Sequence, residues 1–203
     1  MTFFLILAGI IGYLLGSANS SLIVGKFYGI DVRQHGSGNA GATNTLRTMG
    51  KSAALLVGIG DVLKGVIACL IGYYLVGGGF VDNTGVMVGG IAAIIGHNWP
   101  VYFGFKGGKG VFTSLAVVLM MDWELGLMLL GVFIIVVAIT RWVSLGSILG
   151  SALFPVFGVV FGRSIRFTVF ALILALLIIF RHRSNIQRLL KGTESKFGAK
   201  KNV

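Results

Sequence analysis

The chain predicts an all-α, polytopic integral membrane protein of about seven transmembrane helices, and three observations carry that prediction. Of its 203 residues, 56% are hydrophobic and only 11% charged, where a soluble domain carries about a quarter charged residues; the mean hydropathy is +0.93. Its apolar residues form long runs without the period-2 alternation of a β-barrel. Its Lys and Arg residues fall almost entirely in alternate loops between those runs. A pI near 10.2 and a formal charge of +11 suit a nucleic-acid binder, but such a soluble domain does not carry this much apolar sequence. The predicted partner is the lipid bilayer, and no nucleic acid. The 32 glycines favour close helix contacts in lipid, where small residues let backbones approach.

The apolar stretches run over 2–25, 52–76, 84–97, 111–121, 125–140, 143–162 and 166–180. The first, second and sixth reach the ~20 residues that cross hydrocarbon, and the last falls slightly short. The third and fourth are well short, which predicts tilted spans or half-helices whose free backbone ends are covered by protein. Seven spans is the count, with six as the alternative. The first stretch lacks a basic n-region and leads directly into functional-looking sequence, as a retained span does. Cys69 stands alone in an apolar run, so no disulfide framework or thiolate metal site is expected, only a small packing residue. Asp61 and Lys64 lie three apart inside the second span, on one helix face, where pairing makes them tolerable in lipid. They read as a structural pair or, with Lys64 near the inner surface, as an aid to a site there.

Orientation follows from the basic residues. With the N-terminus outside, the inner side receives Lys26, Arg33, Arg47, Lys51, Lys106, Lys109, Arg141, Arg181, Arg183, Arg188, Lys191, Lys196, Lys200 and Lys201. The outer side receives Arg163 and Arg166, and its loops 77–83 and 122–124 hold three of the six acidic residues. This predicts one transmembrane domain over 1–203 with loops 26–51 and 97–110 and the segment 181–203 on the cytoplasmic face. The expected location is a bacterial cell membrane, crossed several times.

Three polar clusters interrupt the apolar sequence, and this threading brings them to that face. The first, GSGNAGATNTLRTMGK over 36–51, reads as a phosphate nest. Gly36, Gly38 and Gly41 can take positive φ and turn N–H groups towards one anion. Ser37, Asn39, Thr43 and Asn44 add side-chain donors, and Arg47 a charge-assisted fork. A Walker A loop is excluded, because a loop ending in Gly50-Lys51-Ser52 needs glycine where Thr45 stands. In the second cluster, GHNWPVYFGFKGGKG over 96–110, His97 and Pro100 close a span. A glycine loop with Lys106 and Lys109 then opens the next helix, adding its dipole to two ammonium charges. The third, RHRSNIQRLLKGTE over 181–194, offers His182, Asn185 and Glu194 beside anchoring arginines.

Other chemistries lack their residues. None of His35, His97 and His182 has a second ligand at i+3 or i+4 or a carboxylate pair beside it, so no metal site is expected. No G-x-S-x-G elbow occurs, and no H-x4-D pair, since Ala40, Tyr102 and Gln187 stand where Asp is needed. A transporter of a phosphorylated solute would suit internal charges, abundant glycine and half-helices. Against it, no internal repeat is present and the polar residues crowd one surface. A structural membrane subunit would not need three phosphate-type loops.

The runs GSGNAGATN, GHNWPVYFGFKGGKG and RHRSNI, in this order between these spans, resemble the PlsY family, the acyl-phosphate-dependent glycerol-3-phosphate acyltransferases of bacterial membranes. The resemblance covers nearly the whole chain. It implies seven spans with the N-terminus outside, and transfer of a fatty acyl group from acyl phosphate to glycerol 3-phosphate, without a cofactor. It implies functional roles for Ser37 and Arg47, for Gly104, Gly107, Gly108 and Lys106 or Lys109, and for Asn185 and Glu194. Together with the residue reading, this assigns catalysis to Ser37, Arg47, His182 and Asn185. Substrate binding falls to Gly38, Asn39, Gly41, Thr43, Asn44, His97, Gly104, Lys106, Gly107, Gly108, Lys109 and Glu194. Two phosphorylated substrates account for two glycine loops, and an alkyl chain for a site where lipid meets cytosol. An acyl phosphate is already activated, so no covalent nucleophile is expected and the departing phosphate can take the hydroxyl proton. His182 is the imidazole placed to assist as a general base.

Overall fold

A computed structural model describes residues 1–80 and 82–198, and every regular element among them is helical. Lys200 and Lys201, counted in the basic tail, lie outside the described residues. The chain forms two compact units, Met1–Met121 and Asp122–Val203.

In the first unit, α1 (Thr2–Ser17) and α2 (Ser20–Phe27) divide the first predicted span. The break falls where Asn19 caps α2, its Oδ1 accepting the Leu22 N–H at 3.2 Å. A polar helix α3 (Ala42–Met49) follows and ends at Gly50, whose φ of +87° lies in the left-handed region open to glycine. The next helix, α4 (Lys51–Val76), is followed by α5 (Thr84–Asn98), capped by Asn83 Oδ1 on the Val86 N–H at 3.1 Å. A 3-10 turn, Val101–Phe103, extends α5 into a 20-residue apolar stretch, Thr84–Phe103. The third predicted stretch is therefore longer than its sequence signal, because Trp99 and Pro100 end the helix without ending the apolar run. Last comes α6 (Val111–Met121), whose 11 residues extend only ~16 Å.

The second unit holds α7 (Trp123–Thr140), α8 (Val143–Val160), α9 (Ile165–Arg181) and α10 (Arg183–Leu190), the last bent by 60° from α9. Asp122 caps α7 through the Leu125 N–H (3.1 Å) and also accepts from Arg163 Nε at 2.7 Å, next to an Arg163–Glu124 pair at 3.2 Å. Among the described residues, five stretches are long and apolar enough to cross a bilayer: Thr2–Phe27, Lys51–Val76, Thr84–Phe103, Trp123–Thr140 and Val143–Val160. Counted as one span, the bent α9–α10 pair makes a sixth.

Small residues bring the helices of the first unit into backbone contact. A Cβ on Gly12 would strike the Gly89 carbonyl, one on Gly16 the Ala93 carbonyl, and one on Gly96 the Tyr13 carbonyl, which fixes α1 against α5. Gly89 likewise meets the Ala68 carbonyl, and Gly72 and Gly85 meet each other's, which fixes α4 against α5. Backbone cannot move aside as a side chain can. Gly89→Val should therefore destabilise by roughly 1–3 kcal/mol and lower the thermal midpoint in detergent by several degrees. Gly131→Val, where a Cβ meets nothing within 4 Å, should leave the midpoint unchanged. Equal midpoints for the two variants would refute this packing.

Candidate active site

Loop one is shaped from inside by Asn44, which is 1% exposed. Its Oδ1 accepts the Ser37 N–H at 2.8 Å, and its Nδ2 donates to the Val32 and His35 carbonyls at 2.9 Å each. Both amide hydrogens are taken, so Asn44 organises the loop and is not the substrate donor the sequence suggested. Gly36 and Gly38 adopt φ of +62° and +72°. Gly41 does not: its φ of −165° is extended. The N–H groups of Gly38 and Gly41 bond to the His35 and Asn39 carbonyls at 3.1 Å each. Loop one is thus a self-satisfied scaffold rather than an open nest. It presents exposed Ser37 and Gly38, half-buried Asn39 and Thr43, and the Ala42 and Thr43 N–H groups that open α3, while the Gly41 carbonyl takes those of Asn44 and Thr45. Arg47 is exposed and stands four residues after Thr43, on the same helix face.

Loop two begins with Gly104 at φ +64° and, unusually for a non-glycine, Phe105 at +59°. Lys106 is exposed and Lys109 half-buried, just before α6. Gly107 and Gly108 are needed for closeness rather than for positive φ. A Cβ on Gly107 would strike the His97 carbonyl, and one on Gly108 both the Ala40 carbonyl of loop one and His97 Nε2. The Gly108 N–H donates to the His97 carbonyl at 3.1 Å. The two loops therefore meet at Gly108.

Further ties hold that joint. Asn19 Nδ2 reaches the Ala40 and His97 carbonyls, each at 3.5 Å. The Arg33 guanidinium grips Asp31 (Nη2 to Oδ2, 2.8 Å) and donates from Nη1 to the Phe103 carbonyl at 3.1 Å. Ser21 and Thr45 hydroxyls pair at 3.0 Å, above a small core of Leu22, Val32 and Ala40 with Met49 and Phe103 packed on it. The hydrogen bond from Arg33 holds the Asp31 carboxyl below its ordinary value, outweighing burial. Asp31 is also the one carboxylate within 26–51 and 97–110. With it paired, the other ionised residues of these two segments, Arg47, Lys106 and Lys109 among them, are all basic, which suits an anion.

Below the joint, Asp61, Lys64 and His97 are all buried, at 2%, 6% and 2% exposure. Lys64 Nζ lies 2.8 Å from Asp61 Oδ1 and 2.9 Å from His97 Nδ1. The sequence showed the Asp61–Lys64 pair but not its third member, 33 positions away. His97, expected to bind substrate, is thus engaged by Lys64 through Nδ1.

Motif three is built within the second unit. His182 ends α9 and holds its Nδ1 2.8 Å from the Ile178 carbonyl, so Nδ1 carries the proton and Nε2 is the basic nitrogen. Asn185 Nδ2 donates to Glu194 Oε1 at 2.7 Å. The same oxygen accepts from Ser144 at 2.6 Å, and Oε2 accepts from Arg188 Nε at 2.7 Å. Protein donors engage both carboxylate oxygens, so Glu194 orients Asn185 rather than gripping a substrate. Asn19, Arg33, Asp31, Ser144 and Arg188 carry tasks that the sequence reading did not assign. Only the polar run Ser17, Asn19, Ser20, Ser21 inside an apolar stretch signalled one of them.

Burial alone would raise the Glu194 carboxyl, but the three hydrogen bonds outweigh it and hold the group below its ordinary 4.5. A depressed carboxyl stabilises the fold above its unfolded value and loses that contribution as pH falls through its folded value. Glu194→Gln should therefore lower the thermal midpoint at pH 7, and the gap to the parent protein should narrow below pH 4.5. A gap independent of pH would show that the carboxylate charge is not what holds the clamp.

Known proteins share both sequence and fold. The family described as glycerol-3-phosphate acyltransferase matches residues 6–192. A glycerol-3-phosphate acyltransferase of Thermoanaerobacter sp. (strain X514) is 52% identical over 199 residues, covering 98% of each chain. One from Clostridioides difficile (strain 630) is 48% identical over 204 residues, covering 97% of each. Among solved structures, the crystal structure of PlsY, an integral membrane glycerol 3-phosphate acyltransferase, in its glycerol 3-phosphate form superposes with a TM-score of 0.88 at 39% identity, covering 96% of both chains. Its lysophosphatidic acid form gives 0.85 at the same identity. With the family spanning all but the ends of the sequence, this chain belongs to the glycerol-3-phosphate acyltransferases.

Proposed function

We propose that this membrane acyltransferase moves a fatty acyl group from acyl phosphate to the sn-1 hydroxyl of glycerol 3-phosphate. The products are 1-acyl-glycerol 3-phosphate, which is lysophosphatidic acid, and inorganic phosphate. The observation that carries the reading is the joint of two glycine loops at Gly108, in segments that carry Arg47, Lys106 and Lys109 and whose one carboxylate, Asp31, is paired with Arg33. Cations fixed beside two anions offset their mutual repulsion and hold hydroxyl and acyl carbon at attacking distance.

Transfer is direct. The acceptor oxygen attacks the acyl carbon, the bond from that carbon to the phosphate oxygen breaks, and the hydroxyl proton ends on the departing phosphate. A mixed anhydride gains little from a second activated ester, and the reaction calls on no cofactor. Ser37, Gly38, Asn39 and Thr43 line the acceptor's place with Arg47. Gly104, Gly107, Gly108 and the two lysines shape loop two around a phosphate. Within the second unit, His182 through Nε2 and Asn185 assist proton movement, with Glu194 holding Asn185.

Purified protein in detergent, given acyl phosphate and labelled glycerol 3-phosphate, should form labelled lysophosphatidic acid; a transporter forms none. A charged hydrogen bond is worth roughly 1.5–3 kcal/mol, so Arg47→Ala and Lys109→Ala should each lose about tenfold or more in kcat/KM. Near-normal kinetics in both would refute the phosphate assignment. Protein incubated with acyl phosphate alone should carry no acyl group by mass spectrometry. Stoichiometric acylation that glycerol 3-phosphate discharges would refute direct transfer.

The basic-residue bias supports a finer topology: seven spans, N-terminus outside, and the loops 26–51 and 97–110 and the C-terminal segment in the cytoplasm of a bacterial cell. Cysteines placed at Gly79 and Lys196 in a Cys69→Ser background should react with an impermeant reagent from opposite sides. Labelling from one side would rule that threading out.

A further inference from the structure

The cluster beneath the loop joint has no task in acyl transfer as described above. Asp61 and Lys64 on α4 need only each other to be tolerated in lipid, since residues three apart on a helix already pair. A third buried polar group is not required for that. Yet Lys64 Nζ reaches 2.9 Å from His97 Nδ1 and 3.4 Å from the Ala18 carbonyl at the break after α1.

The direction of these contacts decides the state of the ring. A lysine ammonium only donates, so Nδ1 is the unprotonated nitrogen and Nε2 carries the hydrogen. His97 Nδ1 also stands 3.4 Å from Asp61 Oδ1, a longer approach than that of Lys64 Nζ. The ring edge bearing Nε2 packs against Gly108, where the Ala40 carbonyl of loop one also arrives. The backbone carbonyl of the same histidine accepts the Gly108 N–H at 3.1 Å. Residue 97 thus touches the glycine pair through both main chain and ring. Lys64 sets the ring from below, and Asp61 balances the lysine charge. The Thr113 hydroxyl bonds the Asp61 carbonyl at 3.0 Å, tying the first turn of α6 to the same cluster.

We propose that Asp61, Lys64 and His97 form a buried positioning relay. It fixes His97 as the Nε2–H tautomer and so holds Gly107 and Gly108 in register with loop one for the phosphate of the acceptor. The proposal rests on the reading that these loops bind a substrate phosphate. All three are positioning residues: His97 acts through Gly108, Lys64 through His97, and Asp61 through Lys64.

Two measurements test the relay. In protein labelled with 15N-histidine, imidazole nitrogen shifts should show His97 as Nε2–H and His182 as Nδ1–H, assigned by elimination in His35→Gln and His182→Gln variants. A His97 ring carrying its proton on Nδ1 overturns the relay. This spectrum needs no substrate, so it decides the relay even if the parent protein makes no lysophosphatidic acid, an outcome that would sink the phosphate reading instead. In kinetics, a displaced loop should raise KM for glycerol 3-phosphate by about tenfold or more in Lys64→Met, which has no donor for His97, with a smaller change in kcat. Lys64→Arg keeps charge and donor and should recover most of that loss. The double variant Asp61→Leu, Lys64→Met buries no net charge and offers no donor, so it keeps the fold where one unpaired charge would not. It should still show the raised KM. A double variant with the parent KM, or a Lys64→Arg enzyme no better than Lys64→Met, refutes the proposal.

Discussion

The polar end of the first unit depends on one close approach, the meeting of loop two with loop one at Gly108. The Ala40 carbonyl and the His97 ring crowd that α-carbon so closely that no side chain fits, and the His97 carbonyl accepts its N–H. Contact at this distance aligns main-chain groups of Ala40, His97 and Gly108, from two segments far apart in sequence. It also buries polar backbone, where each unsatisfied group is costly. The solution is dense local bonding: Asn44 satisfies loop one, Asn19 bridges Ala40 and His97, and Arg33 bridges Asp31 and Phe103. The small-residue contacts of α1 and α4 with α5 deliver the end of α5, and hence His97, to that place.

A chemical requirement acts on the same place. Both substrates of the proposed reaction are anions, and bringing them together in a medium of low dielectric is unfavourable unless fixed cations are already there. Pairing Asp31 with Arg33 removes the local carboxylate without removing the positive charge of Arg47, Lys106 and Lys109. Within the second unit, Glu194 turns its charge onto Ser144, Asn185 and Arg188, so it orients an amide. An activated donor completes the logic, because the protein has to place reactants rather than attack them.

Composition made the helical membrane class and the three clusters legible, since glycine, amide, hydroxyl and basic residues stand out against apolar sequence. The identity of the donors was less legible. Asn44 looks like a ligand in a polar run, yet its amide faces inward, and Gly41 is extended where a turn was expected. Residues that hold the site together were hidden for a simpler reason: Asn19 pairs with positions 21 and 78 away, Arg33 with one 70 away, and Ser144 with one 50 away. No local pattern encodes such distances. The apolar run over 84–97 was read as too short because Trp99 and Pro100 mark a helix end, whereas hydrophobicity continues through the 3-10 turn.

The central claim is that the Gly108 contact forms the acceptor's phosphate site. Gly108→Ala adds one methyl group where backbone and a buried ring already stand, and it leaves the glycine contacts between helices untouched. Calorimetric titration of the folded variant with glycerol 3-phosphate tests the claim most directly. The account predicts an affinity reduced by about tenfold or more, as expected for displaced charged hydrogen bonds, at a thermal midpoint that still reports a folded protein. Parent-like affinity in folded Gly108→Ala protein would contradict it.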